Sequence, residues 1–214
     1  ALDHVFGTRR DETAPPHWTL GGGTAIALAI DHRVSFDVDI FVPGVPLKLF
    51  TPARNPAARL ISSQFQWPGH YLKFERPEGE IDFLSPPLQT EPGFVWTDYR
   101  GRRIAVETPE EVIVKKIRFR SARFTARDVF DLAAVALVRE GLVEILCREV
   151  ADAIPRTLEA VELQAGRGHD ALTRSVVTTV SGDRILPDAF AIARDILTAA
   201  VALSDTKPSS LGTP

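Results

Sequence analysis

Two aspartates one residue apart carry the most chemical information in this chain. Asp37 and Asp39 lie in His32-Arg33-Val34-Ser35-Phe36-Asp37-Val38-Asp39-Ile40-Phe41, downstream of Leu20-Gly21-Gly22-Gly23-Thr24. Apolar and polar residues alternate there, which predicts a strand with Ser35, Asp37 and Asp39 on one face. Val34, Phe36, Val38 and Ile40 take the other. Neighbouring carboxylates on one face repel each other and are costly to bury unpaired. A hard divalent cation, Mg²⁺ or Mn²⁺, takes oxygen ligands and neutralises both charges. The glycine run falls between a predicted strand at His17–Leu20 and a predicted helix at Thr24–Ile30. Bare amides and a helix N-terminus there suit phosphate, making Gly22, Gly23 and Thr24 candidate nucleotide-binding residues. Metal beside phosphate points to chemistry on a nucleotide.

Asp82 is a candidate third acid. Tyr71–Arg76 and Glu80–Leu84 alternate and are joined by Pro77-Glu78-Gly79, a hairpin signal. Ile81 and Phe83 flank Asp82 and anchor it in a sheet. Each motif also has a plainer explanation: an Asp-x-Asp at a strand edge is often only solvated, and a tight strand-to-helix turn needs glycine anyway. Order and proximity favour the joint reading.

Such residues need a scaffold, and 214 residues suffice to bury a core. Hydrophobic residues make up 44% and charged residues 25%, as in ordinary globular domains. A net charge of −3 gives no global drive toward polyanions, so any such contact must be local. One cysteine, Cys147, excludes an internal disulfide and a cysteine-based zinc site and reads as a small core residue. No apolar run has membrane-spanning length and no signal pattern opens the chain, so a cytoplasmic protein with no membrane partner is expected. The chain lacks methionine altogether and is expected to omit some residues of its parent.

The pattern predicts an α+β protein. Residues 1–106 form a mixed α/β core, including a second hairpin from Phe94-Val95-Trp96 and Arg103-Ile104-Ala105-Val106; 107–204 are helical; 205–214 form a polar, flexible tail. Thr108-Pro109-Glu110-Glu111 marks the switch, with threonine at the N-cap, proline at the first helical position and Glu111 placed for a capping box. Further helices are predicted at about 142–164, 170–180 and 188–203.

The first of these helices is basic. Lys115, Lys116, Arg118, Arg120, Arg123 and Arg127 crowd into thirteen residues, with no acid from Val112 to Arg127. It reads either as a solvated face or as a cationic wall for phosphates. Arg127-Asp128-Val129-Phe130-Asp131 follows, where Asp131 can pair with Arg127 one turn earlier. On a continuous helix Asp128 would lie about 120° around from Lys116. A shared pocket therefore requires a break between Phe119 and Ala126, where Ser121 and Thr125 weaken the helix.

Gly22-Gly23-Thr24-Ala25, His32-Arg33-x-Ser35-x-Asp37-x-Asp39-x-Phe41, Ile81-Asp82-Phe83, and Lys116 with Asp128 in Arg127-Asp128-x-x-Asp131-Leu132 together resemble the AbiEii/AbiGii-type nucleotidyltransferases of abortive-infection and toxin–antitoxin systems. The resemblance spans roughly residues 17–135. It implies a nucleotidyltransferase-like mixed sheet with flanking helices, followed by a helical region that completes the active site. It implies an NTP substrate and Mg²⁺ or Mn²⁺ held by Asp37, Asp39 and Asp82. Gly23 and Thr24 would meet phosphates, Ser35 would belong to the nucleotide motif, and Lys116 and Asp128 would serve the nucleotide or its activation. Further implications are an acceptor hydroxyl on tRNA, another RNA or a protein, and a cognate antitoxin partner. Where wider nucleotidyltransferases have Gly-Ser, this chain has Gly23-Thr24 and keeps the hydroxyl. Two alternatives stay open: a glycosyltransferase using Asp-x-Asp, disfavoured because only 36 residues precede Asp37, and a nucleotidyltransferase fold decayed to a binding or regulatory module.

Overall fold

A computed structural model describes residues 16–206. The chain divides into two compact units. The first holds the residues up to Ala29 with Ser35–Thr108; the second holds Ile30–Val34 with the residues from Pro109 onward.

Among the described residues the first unit carries a seven-stranded sheet and one α-helix, in the order β1 (Thr19–Gly21), α1 (Gly22–Ile30), β2 (Val38–Phe41), β3 (Phe65–Gln66), β4 (Leu72–Arg76), β5 (Gly79–Leu84), β6 (Phe94–Tyr99) and β7 (Arg102–Glu107). The strand order is β3-β4-β5-β2-β1-β7-β6. β1 pairs parallel with β7 and β2 parallel with β5, whereas β1–β2, β3–β4, β4–β5 and β6–β7 are antiparallel. A mixed sheet with helices makes this an α+β protein.

Local chemistry explains both expected hairpins. At the β6–β7 turn Arg100 and Gly101 have φ of 50° and 74°, the two positive values a tight hairpin turn requires. Alternate residues of β4 and β5 sort by face: Leu72 and Phe74 join Ile81 and Phe83 on one side, and Phe83 stacks on Phe50 with ring centres 5.6 Å apart. Lys73 and Asp82 consequently point the other way.

The alternation around Asp37 extends less far than expected. The strand begins only at Val38, and Val34 and Phe36 are exposed. The reason is non-local. Val34 donates its N–H to Val177 O and Arg33 bridges Thr178, so this segment pairs within the second unit instead of with the sheet.

The second unit is helical: α2 (Pro109–Arg120), α3 (Ala126–Val138), α4 (Leu142–Glu149), α5 (Ile154–Gly166), α6 (His169–Thr173), α7 (Val180–Asp183) and α8 (Ala189–Thr206). Buried Phe130, Ala133, Leu172 and Ala189 form one of its apolar clusters. The long helix expected over 142–164 is interrupted at Val150, whose φ and ψ leave the helical region, and the one over 170–180 is two short helices. Cys147 is buried, with Sγ 3.2 Å from Ser204 Oγ. Of the expected tail, Asp205 and Thr206 are helical and 207–214 lie outside the described residues. No helix among the described residues is long and apolar enough to cross a membrane.

Candidate active site

The acid-bearing row is assembled by register. Asp39 on β2 is the direct partner of Asp82 on the parallel strand β5, Gly21 pairs with Asp39 across β1, and Lys73 pairs with Asp82 across β4. Registered residues share a face, so a row Gln66–Lys73–Asp82–Asp39–Gly21 crosses the sheet. Glycine is required next to it. Gly22 has a φ of +62°, and a Cβ there would overlap the Asp39 carboxylate. The helix α1 starts at Gly22, two residues earlier than expected, so Gly22, Gly23 and Thr24 form its first turn, whose amides have no intrahelical acceptor.

Two sequence-derived candidates are committed differently from expectation. Thr24 Oγ1 donates to the backbone oxygen of Asp37, which ties the glycine turn to the Asp-x-Asp segment. Asp37 lies just outside β2, and its Oδ1 accepts the N–H of Glu80 at 3.2 Å. Accordingly Asp37, Asp39 and Asp82 do not close into a three-carboxylate cage. Among the described residues no three His, Cys, Asp or Glu side chains are arranged as a metal site. The carboxylates repel one another, Glu80 N–H holds Asp37, and Lys73 Nζ lies 4.0 Å from Asp82 Oδ2. Ser35 is half-buried beside this segment.

Electrostatics single out Asp82. Burial pushes its pKa up to about 6; Lys73 opposes the rise, while Asp39, Glu80 and Asp37 add to it. Its Oδ1 is buried without a hydrogen-bond partner. Such an orphaned oxygen among repelling carboxylates is the oxygen-only donor set a hard cation requires, so these residues fit Mg²⁺ or Mn²⁺. Lys73, missed in the sequence, also forms an ion pair with Glu80. Its place in the hairpin alternation, directly opposite Asp82, is the signal that could have found it.

The second unit holds the other candidates. The expected helix break is present: α2 ends at Arg120, a 3₁₀ turn spans Ser121–Arg123, and Thr125 with Asp128 forms a capping box that restarts the helix as α3. The fold-back brings Lys116 Nζ to 2.5 Å from Asp128 Oδ1 and 2.9 Å from Asp131 Oδ2. Arg33 grips Asp131 with both ends of its fork, at 2.6 and 3.0 Å, and His32 Nε2 lies 2.7 Å from the same carboxylate. Asp131 therefore pairs with Arg33, not with Arg127, whose Nε donates to Ser175 O. The His32 ring stacks on Phe130 at 5.6 Å and is fully buried.

Arg118, Arg120, Arg123 and Arg127 are exposed, as a solvated basic face requires, but Lys115 and Lys116 are buried. Lys116 is neither solvated nor an open phosphate contact; its ammonium is buried between two carboxylates. Burial would lower its pKa, but Asp131 and Asp128 raise it. Burial would likewise raise Asp131, yet Lys116, His32 and Arg33 hold it well below the usual carboxylate range. Lys115 is buried against Glu111 at 3.2 Å, and Arg118 donates to the Glu149 carbonyl.

Residues 7–173 match the family described as the nucleotidyl transferase AbiEii toxin of type IV toxin–antitoxin systems. The chain belongs to that family. Two solved Helicobacter pylori structures are similar at 15% identity and a TM-score of 0.46, each over 88% of this chain. One is of a protein taken to be a nucleotidyltransferase, covered over 88% of its length, and the other is JHP933, covered over 85%. No curated protein matches the chain.

Proposed function

We propose that this AbiEii-family chain is a Mg²⁺- or Mn²⁺-dependent nucleotidyltransferase. It moves a nucleotidyl group from an NTP to an acceptor hydroxyl on RNA, as the toxin partner of a cognate antitoxin. The observation that carries the reading is the registered pair Asp39–Asp82, set beside the glycine turn with one Asp82 oxygen unsatisfied.

Asp39 and Asp82, with Asp37 beside them, would hold the cation. Such a cation neutralises triphosphate charge and orients the reacting oxygens. The first-turn amides of Gly22 and Gly23 offer donors to phosphate, and Ser35 adds a hydroxyl near Asp37. Thr24 fixes the loop that carries Asp37. For Lys116 and Asp128 we propose a positioning part: their buried pair holds the end of α2 against the start of α3. In-line positioning and charge neutralisation would supply most of the rate.

The test is incubation with each α-labelled NTP, Mg²⁺ and total RNA. Label is expected in RNA with at least one NTP, and none with Asp39→Asn. Label incorporated equally by wild type and Asp39→Asn would sink the proposal.

A further inference from the structure

Lys73 is the one positive residue in the row Gln66–Lys73–Asp82–Asp39–Gly21. The hairpin core fixes it there. Leu72 and Phe74 on either side are fully buried, and the Phe74 ring meets Phe83 edge-on at 5.7 Å. Alternation then turns Lys73 onto the acid-bearing face.

Its ammonium has two anions within reach. Lys73 pairs with Glu80 and stands 4.0 Å from Oδ2 of Asp82, its direct cross-strand partner. Glu80 has a second contact, because its N–H donates to Asp37 Oδ1 at 3.2 Å. Lys73 acts on Asp82 against three carboxylates, Asp39, Glu80 and Asp37. The side chains of Lys73 and Asp82 are only 20% and 23% exposed, so water screens their charges incompletely. Lys73 does not saturate Asp82, whose Oδ1 stays buried without a hydrogen-bond partner.

A divalent cation lies about 2 Å from a ligating oxygen, which puts one held by Asp82 within about 6 Å of Lys73 Nζ. That is inside the roughly 8 Å over which physiological salt screens charge. At such range an ammonium repels a free divalent cation. It attracts a cation–triphosphate complex, whose net charge is negative. One side chain thus acts with opposite sign on two forms of the ligand.

We propose that Lys73 is a specificity-determining residue that disfavours a free divalent cation at Asp39 and Asp82 and favours the cation that arrives with its triphosphate. Glu80 is the anion on which the Lys73 ammonium rests once the cation is bound. The inference rests on reading these acids as the cation site of a nucleotidyltransferase, and it names what sets the loading of that site.

The test compares two affinities. Binding of Mn²⁺ alone is followed by the electron paramagnetic resonance of the free ion, and binding of each α-labelled NTP in excess Mn²⁺ by equilibrium dialysis. Lys73→Met keeps the apolar stem and removes the charge. It is expected to bind Mn²⁺ alone about tenfold more tightly than wild type, and NTP with Mn²⁺ at least about threefold more weakly. Lys73→Arg should keep both affinities within about threefold of wild type. Lys48→Met, which removes an exposed lysine, should change neither. Asp82→Asn added to Lys73→Met should abolish the gain for Mn²⁺. A residue that only supported the fold would weaken both ligands together. Losses in both affinities, no change in either, or the same crossed shifts in Lys48→Met would overturn the proposal. If Lys73→Met does not fold, Lys73→Gln, whose amide can still meet Glu80, must show the same crossed shifts. A wild type that binds neither Mn²⁺ nor NTP with Mn²⁺ would instead defeat the nucleotidyltransferase reading itself.

Discussion

Two groups of aspartates in this chain meet opposite fates. Asp128 and Asp131, in the helical unit, are fully buried and saturated by Lys116, Arg33, His32, Arg120 and the Thr125 cap. Asp82, on an interior strand of the sheet, keeps an unsatisfied oxygen and a pKa raised to about 6. The first group carries its own cations and serves the fold. The second is left with excess negative charge, an arrangement that costs stability unless something positive arrives. Charged residues in sequence motifs thus divide by whether the fold supplies their counter-ions.

The largest expected effect lies in the saturated group. Asp131→Asn leaves Arg33 and Lys116 buried without their full counter-charge and should cost about 3–5 kcal/mol. Urea unfolding measures it, and a loss below about 1 kcal/mol would break the comparison. Arg120→Ala should cost under about 1 kcal/mol, because its side chain is 52% exposed.

Within the sheet the same kind of substitution should leave folding intact and remove activity. Asp39→Asn or Asp82→Asn is expected to cost several kcal/mol of transition-state stabilisation, on the order of a hundredfold or more in rate. Wild-type kcat in Asp82→Asn would separate Asp82 from the chemistry.

Opposite pH dependences sharpen the contrast. Asp82 has a folded pKa above its ordinary value of 3.8. In metal-free protein it therefore destabilises progressively as pH rises from about 4 to about 6, with a constant penalty above. Asp82→Asn should melt higher than wild type at pH 7, with the gap closing toward pH 4. Asp128 and Asp131 are lowered, so their contribution is present above about pH 4 and is lost as pH falls further. A gap that widens on acidification would contradict the Asp82 assignment.

A modest loss of stability, about 1–2 kcal/mol, is expected of Gly22→Ala, which strains a positive φ and displaces Asp39. Its loss of activity should exceed that of Ala27→Gly further along the same helix.

Much of this was legible in the sequence because it is local. Turn residues and alternation placed both hairpins, and helical arithmetic between Lys116 and Asp128 required the break that Ser121–Arg123 provides. The rest depended on partners far away in the chain. Nothing near Arg33 announces Asp131, 98 positions away, and that contact with the Val34–Val177 bond removes Val34 from the strand its alternation suggested. Alternation likewise put the acids on neighbouring strands, where the charges of Asp39 and Asp37 both act on Asp82, but it could not give the direction in which Asp37 turns to accept Glu80 N–H.

The central claim is that Asp82, with its unsatisfied Oδ1, and its register partner Asp39 take up a cation, whereas the helical aspartates are already matched by Lys116 and Arg33. Mn²⁺ titration followed by the electron paramagnetic resonance of the free ion, with NTP present, tests it most directly. Wild type should bind Mn²⁺, and Asp39→Asn/Asp82→Asn, still folded, should not. Equal Mn²⁺ binding by both proteins would contradict the claim.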